Sequence, residues 1–280
     1  MAYMFGLIGY PIKHSLSPWI HKQFMKTTGM EGDYCIYEVT PEDSFEAFIG
    51  QLKSSRVDGF NITVPYKEKI ISYLDDIDPV ALKIGAVNTV VNRNGKWIGY
   101  NTDGKGYVRS LNSKFPNLLK KATKRALILG AGGAAKGIFA ALEEVGFKRV
   151  DIANRTKEKA VMICGRHKHQ SQVYSFKDVE QRLHDYDIVI QTTSVGMKPQ
   201  VDQSVLSDDT NFSPVPIYSD IVYQPIRTNF LQRAEQSGAQ IHYGHTMLLY
   251  QAQYAFELWT GRKPNIGQMD EELKQILKGR

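Results

Sequence analysis

Gly130-Ala131-Gly132-Gly133-Ala134-Ala135 follows an apolar stretch and opens an amphipathic one. In a G-x-G-x-x-[GA] pattern the first glycine permits a tight turn and the second lets backbone approach a pyrophosphate. The small last residue allows close helix–strand packing, and the N–H groups at the helix start face the anion. This run is expected to seat a dinucleotide's phosphates. Asn154-Arg155-Thr156 closes the next strand-like stretch. An NAD site would place a carboxylate there to accept from the ribose 2′-OH. None stands there, and Asp151 falls earlier, inside the strand. Arg155 offers a planar, permanently charged fork for a 2′-phosphate, and Asn154 and Thr156 can add uncharged hydrogen bonds, which favours NADP(H) over NAD. Thr156 also reads as a plain helix N-cap. Thr192, which opens Thr192–Met197 after another apolar strand, falls at the carboxyl edge where α/β sheets bind ligands.

Hydride transfer at an alcohol also moves the hydroxyl proton, so an acid–base group is needed. The first hundred residues carry several polar clusters suited to that work. Gly9–Pro18 sets Ser15 and Ser17 between a strand and a helix start, an anchor for a carboxylate. Asn61-Ile62-Thr63-Val64-Pro65-Tyr66-Lys67 ends a strand with alternating polar residues and a lysine. Gly85–Thr89 and Gly99–Gly104 bring Asn88 and Asp103 to the ends of neighbouring elements. Each has a plainer reading: Ser17 a cap, Asn88 a turn residue, Lys67 a solvated helix charge. Gln251 is a polar residue in an apolar helix, so it either pairs inside the core or faces a ligand.

These residues need elements to hold them. Strands are expected at Phe5–Ile8, Cys35–Val39 and Val57–Thr63. Helices are expected at Ser17–Gly29 (begun by Ser17 with Pro18), after Thr40-Pro41, and at Pro65–Leu74. Val87–Asn92 and Lys96–Tyr100 flank Asn94-Gly95, a strong hairpin signal. Alternating strands and helices with a hairpin imply a mixed α/β domain over 1–103. A connecting helix from Gly104, stopped near Pro116, leads into a second alternation. Its strands are Ala126–Leu129, Arg149–Ala153, Gln172–Tyr174, Ile188–Gln191, Ile217–Val222 and Gln240–Tyr243. Ala134–Val145 is a helix ended by Gly146, and others begin at Thr156 and near Thr228. The fold class expected is α/β in two domains, the second (104–244) a Rossmann-type doubly wound unit. Helices Thr246–Thr260 and Gln268–Lys278 close the chain.

A chain of 280 residues with 42% hydrophobic side chains can build these cores. No apolar run is long enough to cross a bilayer, and no secretory signal is evident at the start. Cys35 and Cys164 lack metal-like spacing and read as buried free thiols of a cytoplasmic protein. His167 and His169 have no Cys or carboxylate cluster to support a metal, so none is expected. The net charge of +6 is scattered, which argues against nucleic acid and suits an enzyme of small anions.

Taken in order, these motifs resemble the shikimate dehydrogenase family across nearly the whole chain. G-x-P-x-x-H-S-x-S-P, N-[IV]-T-[VI]-P-x-K, G-A-[VI]-N-T, G-x-N-T-D-G, G-A-G-G-A-[AS] with N-R-T, and M-L-x-x-Q-A all stand here. The resemblance implies NADP-dependent interconversion of 3-dehydroshikimate and shikimate, in chorismate and aromatic amino-acid biosynthesis, by a cytoplasmic monomer or homodimer. It implies that Ser15 and Ser17 hold the substrate carboxylate with Thr63 nearby. Asn88, Asp103 and Gln251 would bond the ring hydroxyls, and Lys67 would sit at the reacting oxygen with Asp103 as its acid–base partner. It returns the closing helices (245–280) to the first domain and sets Ile221, Tyr223 and Gly244 where nicotinamide meets substrate. His245-Thr246 departs from the commoner Leu-Gly or Leu-Asp near that end. Quinate or NAD use, or a catalytically silent NADP sensor, are the competing readings. A sensor would be expected to lack Lys67 or Asp103.

Overall fold

A computed structural model describes residues 2–165 and 171–279. They form two compact units: residues up to Asp103 with Gln251–Ile266, and Gly104–Tyr250 with the residues from Gly267 onward.

The first unit runs through β1 (Tyr3–Gly9), α1 (Ser17–Thr28), β2 (Gly32–Glu38), α2 (Phe45–Ser54) and β3 (Gly59–Ile62). It continues with β4 (Asp76–Ile77), α3 (Pro79–Ile84), β5 (Thr89–Arg93) and β6 (Lys96–Tyr100). The sheet order is β2-β1-β3-β5-β6-β4. β1 is parallel to β2 and β3, while β5 is antiparallel to β3 and β6, so the sheet is mixed. Asn94 and Gly95 turn the hairpin with φ of 55° and 86°, the left-handed pair a two-residue turn needs. Phe45, Ile49, Phe60, Ile70, Val90 and Trp97 pack one core of the unit.

Three local expectations change. Helix α2 starts at Phe45 and is capped by Ser44. Thr40 instead donates its N–H and hydroxyl to Asp43 at 2.7 and 2.8 Å, a turn that delays the helix. Over Pro65–Leu74 only a 3₁₀ turn at Lys69–Tyr73 forms. The Lys67 carbonyl accepts from the Val87 N–H at 2.8 Å, and the Ile71 N–H, which an α-helical ladder would bring to Lys67, bonds the Glu68 carbonyl at 3.3 Å. α1 is preceded by Leu16 at its cap, and Ser17 lies inside the helix.

The second unit runs from Gly104 through the rest of α4 (Asp103–Lys114), then α5 (Pro116–Lys120), β7 (Arg125–Leu129), α6 (Gly133–Glu144), β8 (Arg149–Ala153) and α7 (Lys157–Cys164). β9 (Val173–Tyr174), α8 (Phe176–Glu180), β10 (Ile188–Gln191), β11 (Ile217–Asp220), α9 (Asn229–Gln236) and β12 (Ile241–His242) follow. The sheet order is β12-β11-β10-β7-β8-β9, every pair parallel. The order reverses between β7 and β10, the switch point beside which doubly wound sheets open a crevice. Apolar clusters cover the sheet, with Ile128, Ile138 and Ile190 in one and Leu129, Val189 and Tyr218 in the other.

α10 (Gly244–Thr260) and α11 (Met269–Lys278) close the chain. The division of the chain falls within α10, at Tyr250 and Gln251. α11 is part of the second unit, whereas the family likeness returned both helices to the first. The reason is local. Asp270 lies 3.0 Å from Nε2 of the buried His245, and the Lys274 ammonium stands 5.8 Å from the Tyr243 ring centroid. Cys35 and Cys164 are free and half-buried rather than buried. Among the described residues no helix is long and apolar enough to cross a membrane. His167 and His169 lie outside the described residues.

Candidate active site and cofactor seat

In the first unit, the ends of three strands converge their polar residues. β3 delivers Asn61 and leads to Thr63, β5 starts just after Asn88, and β6 ends just before Asn101-Thr102-Asp103. The Lys67 ammonium lies 2.6 Å from Oδ2 of Asp103, with both side chains largely shielded from solvent. The Asn88 amide donates to Asp103 Oδ1 at 2.9 Å, to Thr102 Oγ1 at 3.0 Å and to Gln251 Oε1 at 3.4 Å. Asp103 sits in the first turn of α4, where the helix dipole favours a carboxylate. Its N–H donates to Asn101 Oδ1 at 3.1 Å, and Asn101 in turn donates to the Ala86 carbonyl at 2.9 Å. Lys67, Asn88, Asp103 and Gln251 are thus one hydrogen-bonded cluster. A lysine, a carboxyl group and two amides around one point can orient hydroxyls and move a proton at one of them.

Ser15 and Ser17 meet at the start of α1. The Ser15 hydroxyl accepts from the Ser17 N–H at 3.2 Å and donates to the Ser17 hydroxyl at 3.2 Å. Ser17 also stands beside the Tyr34 phenol, which burial pushes up and Ser17 draws back. Thr63 is half-buried just past β3, with its N–H held by the Ile8 carbonyl at 2.9 Å.

In the second unit, Gly130 has φ 116°, and a Cβ there would lie 2.7 Å from Thr192 Oγ1 and 2.8 Å from Thr193 Cγ2. Its N–H bonds the Ala153 carbonyl at 2.8 Å, which joins the turn to the tip of β8. Thr192 is itself anchored by its hydroxyl on the Leu129 carbonyl at 2.9 Å. Gly132 caps α6, and a Cβ there would meet nothing within 4 Å. The space before α6, with Gly133, Ala134 and Ala135 in its first turn, is therefore open to an anion, as the pattern Gly130–Ala135 (Ala131 included) requires.

At the tip of β8, Arg155 is exposed and has no ion-pair partner among the described residues. Asp151 is committed elsewhere, accepting from Arg149 at 2.9 Å, the Gln172 N–H at 2.8 Å and the Tyr186 hydroxyl at 2.9 Å. Thr156 precedes α7 without a side-chain cap bond, and Asn154 instead donates to the Thr156 carbonyl at 2.7 Å. Among the described residues a 2′-phosphate would find a guanidinium without an ion pair and no competing carboxylate, so these residues fit NADP.

Ile221 and Tyr223 lie half-buried just beyond β11. Gly244 opens α10 against the backbone of Ile221 and Val222, since a Cβ there would lie 2.5 Å from the Ile221 carbonyl oxygen and 2.6 Å from that of Val222. Thr246 bonds the Tyr243 carbonyl at 2.7 Å. Asp220 is a residue the sequence did not single out. It is buried at the end of β11 and accepts from the Val222 N–H at 2.8 Å, Gln191 at 3.2 Å and Thr228 at 2.7 Å. Burial raises it to about 7 against those donors. Its signal was a charged residue closing an apolar strand next to the expected ligand edge.

An all-parallel doubly wound unit with a glycine turn at its switch strand, and a separate mixed α/β unit holding a lysine–carboxylate cluster, define a two-domain dinucleotide-dependent oxidoreductase. Residues 7–90 match the shikimate dehydrogenase substrate binding domain, 111–211 the shikimate / quinate 5-dehydrogenase domain and 244–274 the shikimate 5'-dehydrogenase C-terminal domain. The shikimate dehydrogenase (NADP(+)) of Oceanobacillus iheyensis is 52% identical over 100% of both chains. The shikimate 5-dehydrogenase of Thermus thermophilus, solved with NADP(H) and shikimate, is 32% identical with a TM-score of 0.86, over 98% of this chain and 99% of that one. A quinate dehydrogenase of Corynebacterium glutamicum, solved with NAD, is 26% identical with a TM-score of 0.88 over 98% and 99%. The chain belongs to the shikimate dehydrogenase family, with its N-terminal substrate-binding and C-terminal NADP-binding domains.

Proposed function

We propose that this chain catalyses the reversible NADP-dependent reduction of 3-dehydroshikimate to shikimate, a step towards chorismate and the aromatic amino acids. The Lys67–Asp103–Asn88–Gln251 cluster supports the reading most strongly, because it gathers hydroxyl-binding groups around one proton-carrying ammonium. When bound, NADP(H) supplies or accepts the hydride. Lys67 gives or takes the proton at the reacting C3 oxygen, and Asp103 orients it; the pair works as one acid–base unit. Ser15 and Ser17 hold the carboxylate with Thr63 beside them, and Asn88, Asp103, Gln251 and Tyr223 bond the remaining groups. Gly130, Ala131, Gly132, Gly133, Ala134 and Ala135 seat the phosphates. Asn154, Arg155 and Thr156 take the 2′-phosphate, and Thr192, Ile221 and Gly244 serve the nicotinamide side. We place the enzyme in the cytoplasm as a monomer or homodimer.

Nothing in Ser15, Ser17 or Lys67 separates shikimate from quinate, and the quinate dehydrogenase shares the fold. Arg155 without a carboxylate beside it argues for NADP. The test is reduction of NADP⁺ or NAD⁺ by shikimate or quinate, followed at the absorbance band of the reduced cofactor. The shikimate–NADP⁺ pair should be strongly preferred. No turnover with that pair sinks the enzyme reading, and a quinate preference moves it to the rival activity.

A further inference from the structure

The donor and acceptor directions around Asn88 are set by a longer chain of buried groups. The Thr102 N–H donates to Asn88 Oδ1 at 2.8 Å, and a backbone N–H can only donate. The Asn88 amide must therefore turn its Nδ2 toward Asp103. A second amide is set in the same way: Asn61 Nδ2 donates at 3.2 Å to the Asn88 carbonyl, which can only accept. Asn61 Oδ1 then faces Tyr34, so the Tyr34 hydroxyl must be the donor of their 2.8 Å bond. Asn61 Nδ2 also reaches Thr89 Oγ1 at 3.1 Å. The Thr89 hydroxyl in turn donates to Asn88 Oδ1 at 3.0 Å, and it also lies 3.3 Å from Thr102 Oγ1, a contact in which either hydroxyl can be the donor. Every proton on this path points from Tyr34 toward Asp103. Tyr34, Asn61, Thr89, Asn88 and Thr102 are all buried, so no bulk water replaces a missing link.

We infer that Thr89 and Tyr34 are positioning residues for the reaction, acting through Asn61 and Asn88 to present donors alone to Asp103 Oδ1 and so leave Oδ2 turned to Lys67. The inference rests on the proposed roles of Lys67 and Asp103. The titratable groups facing the path are Lys67 and Asp103 at one end, and Tyr34 with the buried His21 stacked on it at 4.5 Å at the other. Removing the Thr89 hydroxyl takes away one of the donors to Asn88 Oδ1, leaving those of Thr102, and leaves an Asn61 N–H unpaired. The Asn88 amide then has less to keep its oxygen from Asp103, and an acceptor facing a carboxylate favours the protonated acid.

The experiment compares the parent, Thr89→Val, Thr89→Ser, Tyr34→Phe and Lys67→Ala for kcat, shikimate KM at saturating NADP⁺, the pH profile of kcat, and Tm. Thr89→Val should lower kcat about 10-fold with a smaller change in KM and move the acid limb of the profile up by about one unit, as expected when an acid–base pair loses its orientation. Thr89→Ser, which keeps the hydroxyl, should stay within about 2-fold of the parent, and Tyr34→Phe should move the profile the same way by less. A Tm loss with parental kcat and pH profile in Thr89→Val overturns the inference, as does equal impairment of Thr89→Ser. If Thr89→Val does not fold, an unchanged profile in Tyr34→Phe overturns it. An inactive parent, or an unimpaired Lys67→Ala, would bring down the proposed function instead, and the inference with it.

Discussion

Lys67 and Arg155 are both cations, yet their settings give them opposite tasks. Lys67 is held against Asp103 at 2.6 Å in a shielded cluster, where a charge has one well-defined partner. Replacing it with alanine should lower turnover by about 100-fold, as for loss of an acid–base group, with a smaller change in shikimate affinity. An unchanged turnover number would remove Lys67 from the chemistry. Arg155 stands exposed with no described ion-pair partner, so its fork is available to a ligand rather than to the fold. Arg155→Ala should weaken NADP binding by about 10-fold, the worth of charge-assisted hydrogen bonds, and leave NAD almost unaltered. Equal losses for both cofactors, measured by isothermal titration calorimetry, would refute a 2′-phosphate role. Both cations were legible in the sequence because each sits in a motif with a mechanism. Thr89 was not, since a threonine's role depends on which neighbour takes its proton.

At the level of elements, the carboxyl edge of the parallel sheet is knit together by Asp220. It gathers the segment after β11 through the Val222 N–H, the end of β10 through Gln191, and the start of α9 through Thr228, whose hydroxyl also caps Leu231 at 3.3 Å. Gln191 in turn accepts from the Thr193 N–H and donates to the Val195 carbonyl at 3.0 Å. Because burial lifts the Asp220 carboxyl from 3.8 to about 7, the stability it contributes is full below about 4 and is lost as pH rises through about 7. The carboxyl carbon resonance of Asp220 should titrate near neutrality. A midpoint near the ordinary 3.8 would mean that its donors outweigh burial. Element existence was readable wherever an apolar period was long enough, as in α6 and β7. The two-residue β4 and six-residue α3 were not: β4 is defined only by its pairing with β6, and α3 is too short to show a helical period.

For the whole molecule, each unit buries a neutral histidine. His21 in the first unit lies among Phe24, Tyr34, Phe256 and Trp259, and burial, opposed by nearby Asn61, lowers it to about 3. His242 in the second unit bonds Ser219 at 2.9 Å and Thr246 at 3.1 Å and is also lowered to about 3, by burial first and His245 next. Since both folded values lie below the ordinary 6.5, the stability these groups contribute is present above 6.5 and is lost as pH falls towards 3. Trp19, Trp97 and Trp259 all belong to the first unit, so tryptophan emission reports that unit alone. His21→Phe should move its acid unfolding midpoint to lower pH, whereas His242→Gln should leave the tryptophan midpoint in place and change only the far-UV signal. A His21→Phe midpoint equal to the parent's would show that His21 is not what acid attacks.

By itself the sequence determined the alternation of strands and helices, the glycine turn before α6, the missing carboxylate at the tip of β8 and the order of the family's motifs. All of these are local: a period, a φ requirement or a residue type at fixed spacing decides them. The family likeness had already set Lys67, Asp103, Asn88 and Gln251 around one substrate; tertiary structure alone decided the hydrogen bonds that join these side chains and that α11 packs with the second unit. It also settled Asp151 inside a hydrogen-bonded network and the proton directions from Tyr34 to Asp103. Those outcomes depend on which buried donor finds which acceptor, and burial makes an unpaired group costly enough that only the folded chain can assign the pairs.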